Sequence, residues 1–185
     1  MQAMASMGDF GAHPQNCHRA LLNLLGLPAG APDLHWATIP TARGENTLHP
    51  FLLPHEFFRQ YYIGQRAKWA STMTGPVNAA LDFWQAMAGT DYLRLHPALP
   101  KSKWTQTVPL GLHGDGAAVS HQDSLYVFSW NSLIGSGATV QKRFLATIIK
   151  KTDMVPGTVD AIMKILRWSF SVMFSGQKCL RWTGR

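Results

Sequence analysis

Three β-forming stretches with short connections, followed by one strongly amphipathic helix, limit this chain to a small set of folds. Thr107 to His113 alternates, with Val108, Leu110 and Leu112 on one face. Ser124 to Leu133 (Ser-Leu-Tyr-Val-Phe-Ser-Trp-Asn-Ser-Leu) is rich in β-formers. Thr139 to Ile149 puts Phe144, Ala146 and Ile148 on one face and Leu145 and Ile149 on the other. Gly114 to Asp123 reads as a polar loop and Gly135-Ser-Gly137 as a turn. Such short links imply an antiparallel meander, because parallel neighbours need a long crossover. Pro156-Gly157-Thr158 then leads into a helix with Val159, Ile162, Met163, Leu166, Phe170, Met173 and Phe174 at helical spacing, stopped by Gly176. Thr158 is the expected N-cap, and Asp160 suits the positive end of the helix dipole.

The front half has a different character. Residues 1–13 are small, polar and Met-rich and are expected to be disordered. Asn16 would cap a short helix from His18 to Leu25, stopped at Gly26. Residues 28–50 hold Pro28, Pro32, Pro40 and Pro50 and read as an irregular connection. Pro54 opens a helix carrying Phe57, Phe58 and Tyr61, with Gly64 at its end. Pro76 opens another, with Val77, Ala80, Leu81, Trp84, Met87 and Ala88 as its apolar stripe. Residues 91–106 read as a linker. The fold class is α+β: a helical and irregular region over 14–106, then a β-meander and helix over 107–185.

Composition bounds the function. Of 185 residues, 46% are hydrophobic, so a sizeable core is available. Seven Trp and nine Phe imply either an unusually aromatic core or rings that face a partner. A net charge of +7 favours anionic partners, nucleic acid first. Cys17 and Cys179 are too few for a disulfide framework or a cysteine zinc cluster, which fits a reducing, intracellular compartment. There is no secretory signal pattern, and no apolar run approaches the length that spans a membrane.

The chemistry-bearing candidates cluster in the second half. Asp115 sits between Gly114 and Gly116 at the expected end of the first meander strand. Two-metal phosphoryl transfer needs several carboxylates converging on ions about 3.5–4 Å apart. Asp123, across the hairpin, is the best second ligand, and His113 shares a strand face with Asp115 at i, i+2. Mg²⁺ or Mn²⁺ would be the ion, with zinc on His113-x-Asp115 and His121-x-Asp123 a lesser reading. Against both stands a plain Gly-Asp-Gly turn with unusual φ values. Asp153 reads as loop and Asp160 as helix N-terminal charge. Lys142, Arg143, Lys150 and Lys151, with Trp104 and Trp130, would contact phosphate and stack on bases. The plainer alternative makes the basic residues solvated strand ends and the Trp residues core. No nucleophile elbow, P-loop or dinucleotide fingerprint is present.

Pro109-Leu-Gly-Leu-His-Gly-Asp-Gly116, Ser124 to Leu133, Trp168-Ser-Phe170 with Gly176, and Trp182-Thr-Gly184 together resemble a large multi-copy family of uncharacterised proteins. Leu53-Pro-His-Glu56 and Phe83-Trp84 also fit it, so the likeness runs over roughly residues 50–185. More distantly, the strand–Asp-Gly–loop–strand pattern is similar to the start of the ribonuclease H-like core of CACTA-type DNA transposases. That likeness implies metal-dependent phosphodiester chemistry, with Asp115 as first ligand. It also implies further strands and acidic positions that would follow the helix. The expectation is a truncated, mobile-element-derived protein with a vestigial nuclease core and an incomplete active site, hence no enzyme. The alternatives are a non-catalytic basic nucleic-acid-binding module and a fragment without a function of its own. An unfinished sheet would leave an edge open to self-association.

Overall fold

A computed structural model describes residues 33–94, 99–118, 124–138 and 142–176. All belong to one compact unit, Asp33–Arg185. The expectations for residues 1–13 and for a helix from His18 to Leu25 lie outside the described residues.

The chain is α+β, with a two-stranded and a three-stranded antiparallel sheet and a long final helix. The first strands correct the reading of residues 28–50 as irregular: β1 (His35–Thr41) and β2 (Gly44–Phe51) form an antiparallel hairpin. Ala37, Ile39 and Thr41 point inward, while Trp36 and Thr38 point out. The prolines do not prevent this. Pro40 falls where the register slips, between Ile39 and Thr41, and such irregular sites tolerate a residue without an N–H. Helix α1 (Pro54–Gly64) follows, with Pro54 in its first turn and the expected stop at Gly64.

The next segment was not foreseen as helical. Helix α2 (Arg66–Trp69) runs into a π-helical turn, Ala70–Thr74, ended by Gly75 at φ 67°. This turn packs against the end of the meander: Ser136 N–H donates to Ser71 O, and Ser132 Oγ donates to Met73 O, both at 2.6 Å. The approach requires glycine, because a Cβ on Gly75 would lie 2.2 Å from Ile134 O and one on Gly135 2.0 Å from Thr72 O. Helix α3 (Ala79–Met87) starts later than Pro76 suggests, and Val77 is 91% exposed rather than part of the apolar stripe. Trp84 still anchors it, donating from Nε1 to Thr107 O at 2.7 Å. Residues 91–106 contain a short helix α4 (Asp91–Arg94) and a 3-10 helix at Lys101–Gln106 that buries Trp104.

The meander is present as expected: β3 (Leu110–Ala118), β4 (Ser124–Ser132) and β5 (Phe144–Lys150) pair in the order β3-β4-β5. Strict alternation fails on β5. Phe128 pairs with Thr147 but Ser129 with Leu145, so Ala146 is an extra residue. The bulge moves the following side chains to the other face. Ile148 is therefore 39% exposed, while Ile149, expected on the outer face, is buried. The bulge also joins the two sheets: Leu52 N–H donates to Ala146 O at 2.8 Å, and Thr147 Oγ1 donates to Pro50 O at 2.8 Å. Thr147 has one hydroxyl proton, so His49 Nε2 donates to Thr147 Oγ1 across 2.7 Å.

Helix α5 (Thr158–Ser175) closes the core. Gly157, at φ 91°, holds the cap position and Thr158 is the first helical residue, correcting the expected cap. The buried face is Thr158, Ile162, Ile165, Leu166 and Ser169, whereas Val159, Met163 and Phe174 are exposed. Residues on both sides of position 106 share this core: Ile39, Phe51 and Leu53 pack with Trp130, Phe144 and Ile162. Rings dominate it, with Phe57 and Phe144 centroids 4.6 Å apart and Trp130 and Phe144 4.9 Å.

Candidate nucleic-acid interface

Asp115 is not at a strand end. It lies in the middle of β3, opposite Val127, and the strand runs three residues further to Ala118. Gly114 and Gly116 adopt no positive φ, so the segment is not a tight turn either. Glycine at 114 serves packing: a Cβ there would meet the Tyr126 ring at 3.1 Å. Both readings of the Gly-Asp-Gly pattern are thereby corrected, because pairing with β4 carries extended backbone through the glycines.

His113 does share the outer sheet face with Asp115, as the i, i+2 spacing implies, and its Nε2 lies 2.5 Å from Asn131 Oδ1. Asp123 and His121 lie outside the described residues. Among the described residues, no group of three or more His, Cys, Asp or Glu side chains is arranged to hold a metal ion.

The four basic candidates separate into two pairs. Lys142 and Arg143 precede β5, and Lys142 Nζ donates to Gly135 O at 3.0 Å. Lys150 ends β5 and Lys151 follows it. At roughly 3.3 Å per residue, the strand holds the pairs about 20 Å apart. Trp130 is 0% and Trp104 7% exposed, so neither offers a stacking face. Both belong to the interior, as the plainer reading had it.

What the fold does bring together is Arg43 and Lys150. Arg43 stands in the β1–β2 turn and Lys150 at the end of β5. Because the bulge docks β2 beside β5, both line one cleft of about 260 Å³. Its floor carries Thr41, Thr47, His49 and Ile148. Arg43 Nη2 lies 3.0 Å from Asp153 Oδ2, so one positive charge is partly balanced. Exposed pairs of this kind hold less than about 1 kcal/mol, so the guanidinium can turn to a competing anion. Burial holds the His49 imidazole below its ordinary basicity, although Asp153 opposes this. The site therefore offers two cations, the Asp153 carboxylate, and neutral hydroxyl and imidazole groups.

Arg43 was missed because its segment read as irregular. The signal was the alternation of Ala37, Ile39 and Thr41 ahead of Ala42-Arg43-Gly44. The β1–β2 hairpin leaves Trp36 54% and Leu48 64% exposed. Leu48 and Pro50 line the cleft, and Trp36 pairs with Pro50 across the hairpin.

A second polar cluster sits at the start of α1. His55 Nδ1 is 2.8 Å from Ser169 Oγ, which also accepts from the His55 backbone N–H at 3.2 Å. Burial, and then the neighbouring His35, lower the His55 pKa. Burial raises that of Glu56, with His35 opposing and Asp33 adding to the rise. A Ser-His pair suggests a nucleophile, but Ser169 is 0% exposed and no substrate can reach it. The pair ties α1 to α5.

Among the described residues, no helix is long and apolar enough to cross a membrane. Comparison of the chain with protein-family models, with curated proteins and with solved structures finds no match in any of the three.

Proposed function

We propose that this chain is a non-catalytic, basic nucleic-acid-binding module, derived from a mobile element, that grips a phosphodiester backbone in the cleft between the β1–β2 turn and the end of β5. The observation that carries this reading is the convergence of Arg43 and Lys150, from segments about a hundred residues apart in sequence, on one cleft. Exposed Trp36, paired across the hairpin with the cleft-lining Pro50, supplies a ring on which a base can stack. Lys151, exposed and next in sequence to Lys150, adds positive charge. The overall charge of +7 steers the polyanion toward the protein without selecting a sequence.

The test is fluorescence anisotropy of labelled single-stranded and duplex DNA and RNA, with the double variant Arg43→Glu, Lys150→Glu. Salt-sensitive binding that the double variant abolishes supports the reading, provided the variant keeps its circular dichroism. Binding that survives both charge reversals overturns it.

The vestigial-nuclease reading keeps one supporting observation, the solvent-exposed Asp115 with His113 on the same sheet face. Titration with Mn²⁺ in a ¹H–¹⁵N correlation spectrum tests it. Selective broadening at Gly114, Asp115 and Gly116 would favour it, and unchanged peaks would remove it.

A further inference from the structure

We propose that β3 is a self-complementary dimerisation edge, on which a second copy of this chain adds its own β3 antiparallel about a two-fold axis through Gly114. β3 is the outermost strand of its sheet, bonded to β4 on one side and to no other strand among the described residues. Natural edges are usually blunted by proline, lysine or a bulge. The nine residues Leu110–Ala118 contain no proline and no lysine, and their pairing with β4 runs without a register shift. Gly111, Gly114 and Gly116 remove side-chain bulk from the edge.

Three features bear on the axis. The first is hydrogen-bond parity, which fixes the outward groups and requires only that the axis pass through a residue. Leu133 N–H donates to Pro109 O, so position 109 bonds toward β4. In an antiparallel ladder, successive residues bond alternately to either side. Gly111, His113 and Asp115 therefore also bond toward β4. The N–H and C=O groups of Leu110, Leu112, Gly114, Gly116 and Ala118 point outward. The second is length: Gly114 is the midpoint of Leu110–Ala118, so a two-fold axis there engages every outward group of both copies. The third is side-chain complementarity. The same axis sets His113 opposite Asp115 of the second copy, twice over by symmetry.

These facing residues form non-hydrogen-bonded pairs, where side chains approach most closely. The hydrogen bond between His113 Nε2 and Asn131 Oδ1 holds the ring on the face it shares with Asp115. An axis on any other residue of the strand keeps the parity but strands part of the edge and separates this pair. Asp115 thus acquires a role that needs no metal.

Sedimentation velocity on the whole chain tests the register through charge. His113→Glu sets Glu against Asp115 in both pairs, and Asp115→Lys sets Lys against His113 in both. Each variant alone should dissociate about tenfold more readily than the parent, from two unfavourable cross-strand pairs. An equimolar mixture should associate again, because Glu then faces Lys and His faces Asp. Circular dichroism on each variant confirms that the monomer is folded. A parent that stays monomeric through the micromolar range overturns the proposal. So does a dimer that neither substitution weakens, or one weakened by both but not restored on mixing.

Discussion

The hydroxyl of Thr158, at the start of α5, donates to the carbonyl of Pro40 on β1 at 2.7 Å, across 118 positions of sequence. The same oxygen accepts the Val155 N–H at 2.9 Å, and the residue is 0% exposed. One side chain thus ties the helix N-terminus to the first hairpin. Thr158→Val keeps the shape and removes both bonds. Leaving a partly buried carbonyl and amide unpaired costs about 1 kcal/mol or more. Urea denaturation should show the midpoint fall with the slope unchanged; an unaltered midpoint would mean that water satisfies both groups.

Trp130 separates volume from hydrogen bonding. It is 0% exposed, and its Nε1 has no hydrogen-bond partner among the described residues. Trp130→Ala empties the centre of the aromatic cluster and should cost about 3–5 kcal/mol. Trp130→Phe removes the orphaned donor along with part of the ring, and these effects oppose one another. Thermal unfolding should place the Phe variant much nearer the parent than the Ala variant. Equal losses would show that the indole N–H is satisfied after all.

Acid should weaken the fold before the carboxylates titrate. Burial lowers the pKa of His49, and burial with His35 lowers that of His55, from the ordinary 6.5. The unfolded chain then takes up protons first as pH falls, so the stability these neutral rings contribute is full above 6.5 and is lost below it. Glu56, raised by burial, acts in the opposite sense and nearer the carboxylate range. Urea midpoints should therefore drop between about pH 7.5 and pH 5.5, and His49→Gln should flatten the slope. A midpoint that holds or rises over that interval would sink the assignment.

Salt should report which lysines touch phosphate. Each phosphate contact steepens the dependence of log affinity on log salt by roughly 0.9 for duplex DNA and 0.7 for single strands. Lys150→Ala should reduce the slope by about that amount. Lys142→Ala, at the far end of β5, should leave it unchanged. Equal effects would point to a diffuse basic surface in place of the cleft.

The α+β class, the order β3-β4-β5 and helix α5 were legible because each rests on local signals: β-branched and aromatic runs, short glycine turns and a 3.6-residue period. The β1–β2 hairpin was hidden by four prolines, although Ala37, Ile39 and Thr41 alternate as an inward face should. Asp115 was misplaced for a related reason. Glycines that punctuate a turn in isolation are equally at home in an extended edge strand once β4 supplies the ladder.

By itself, the sequence determined the three strands and the long helix of the second half, the aromatic richness of the core and the basic charge. Tertiary structure alone decided which face of each element is buried. The extra residue at Ala146 turned Ile148 outward and Ile149 inward, and the rotation of α5 exposed Met163 and Phe174 in favour of Ile165 and Ser169. It also decided the candidate site. Arg43 and Lys150 meet only because the bulge lets Leu52 and Thr147 bond across the two sheets, while Lys142 and Lys150, only eight positions apart, are held at opposite ends of a rigid strand. Local periodicity specifies what an element is. The pairing of distant backbone groups specifies where its side chains stand, and no window of neighbouring residues contains that information.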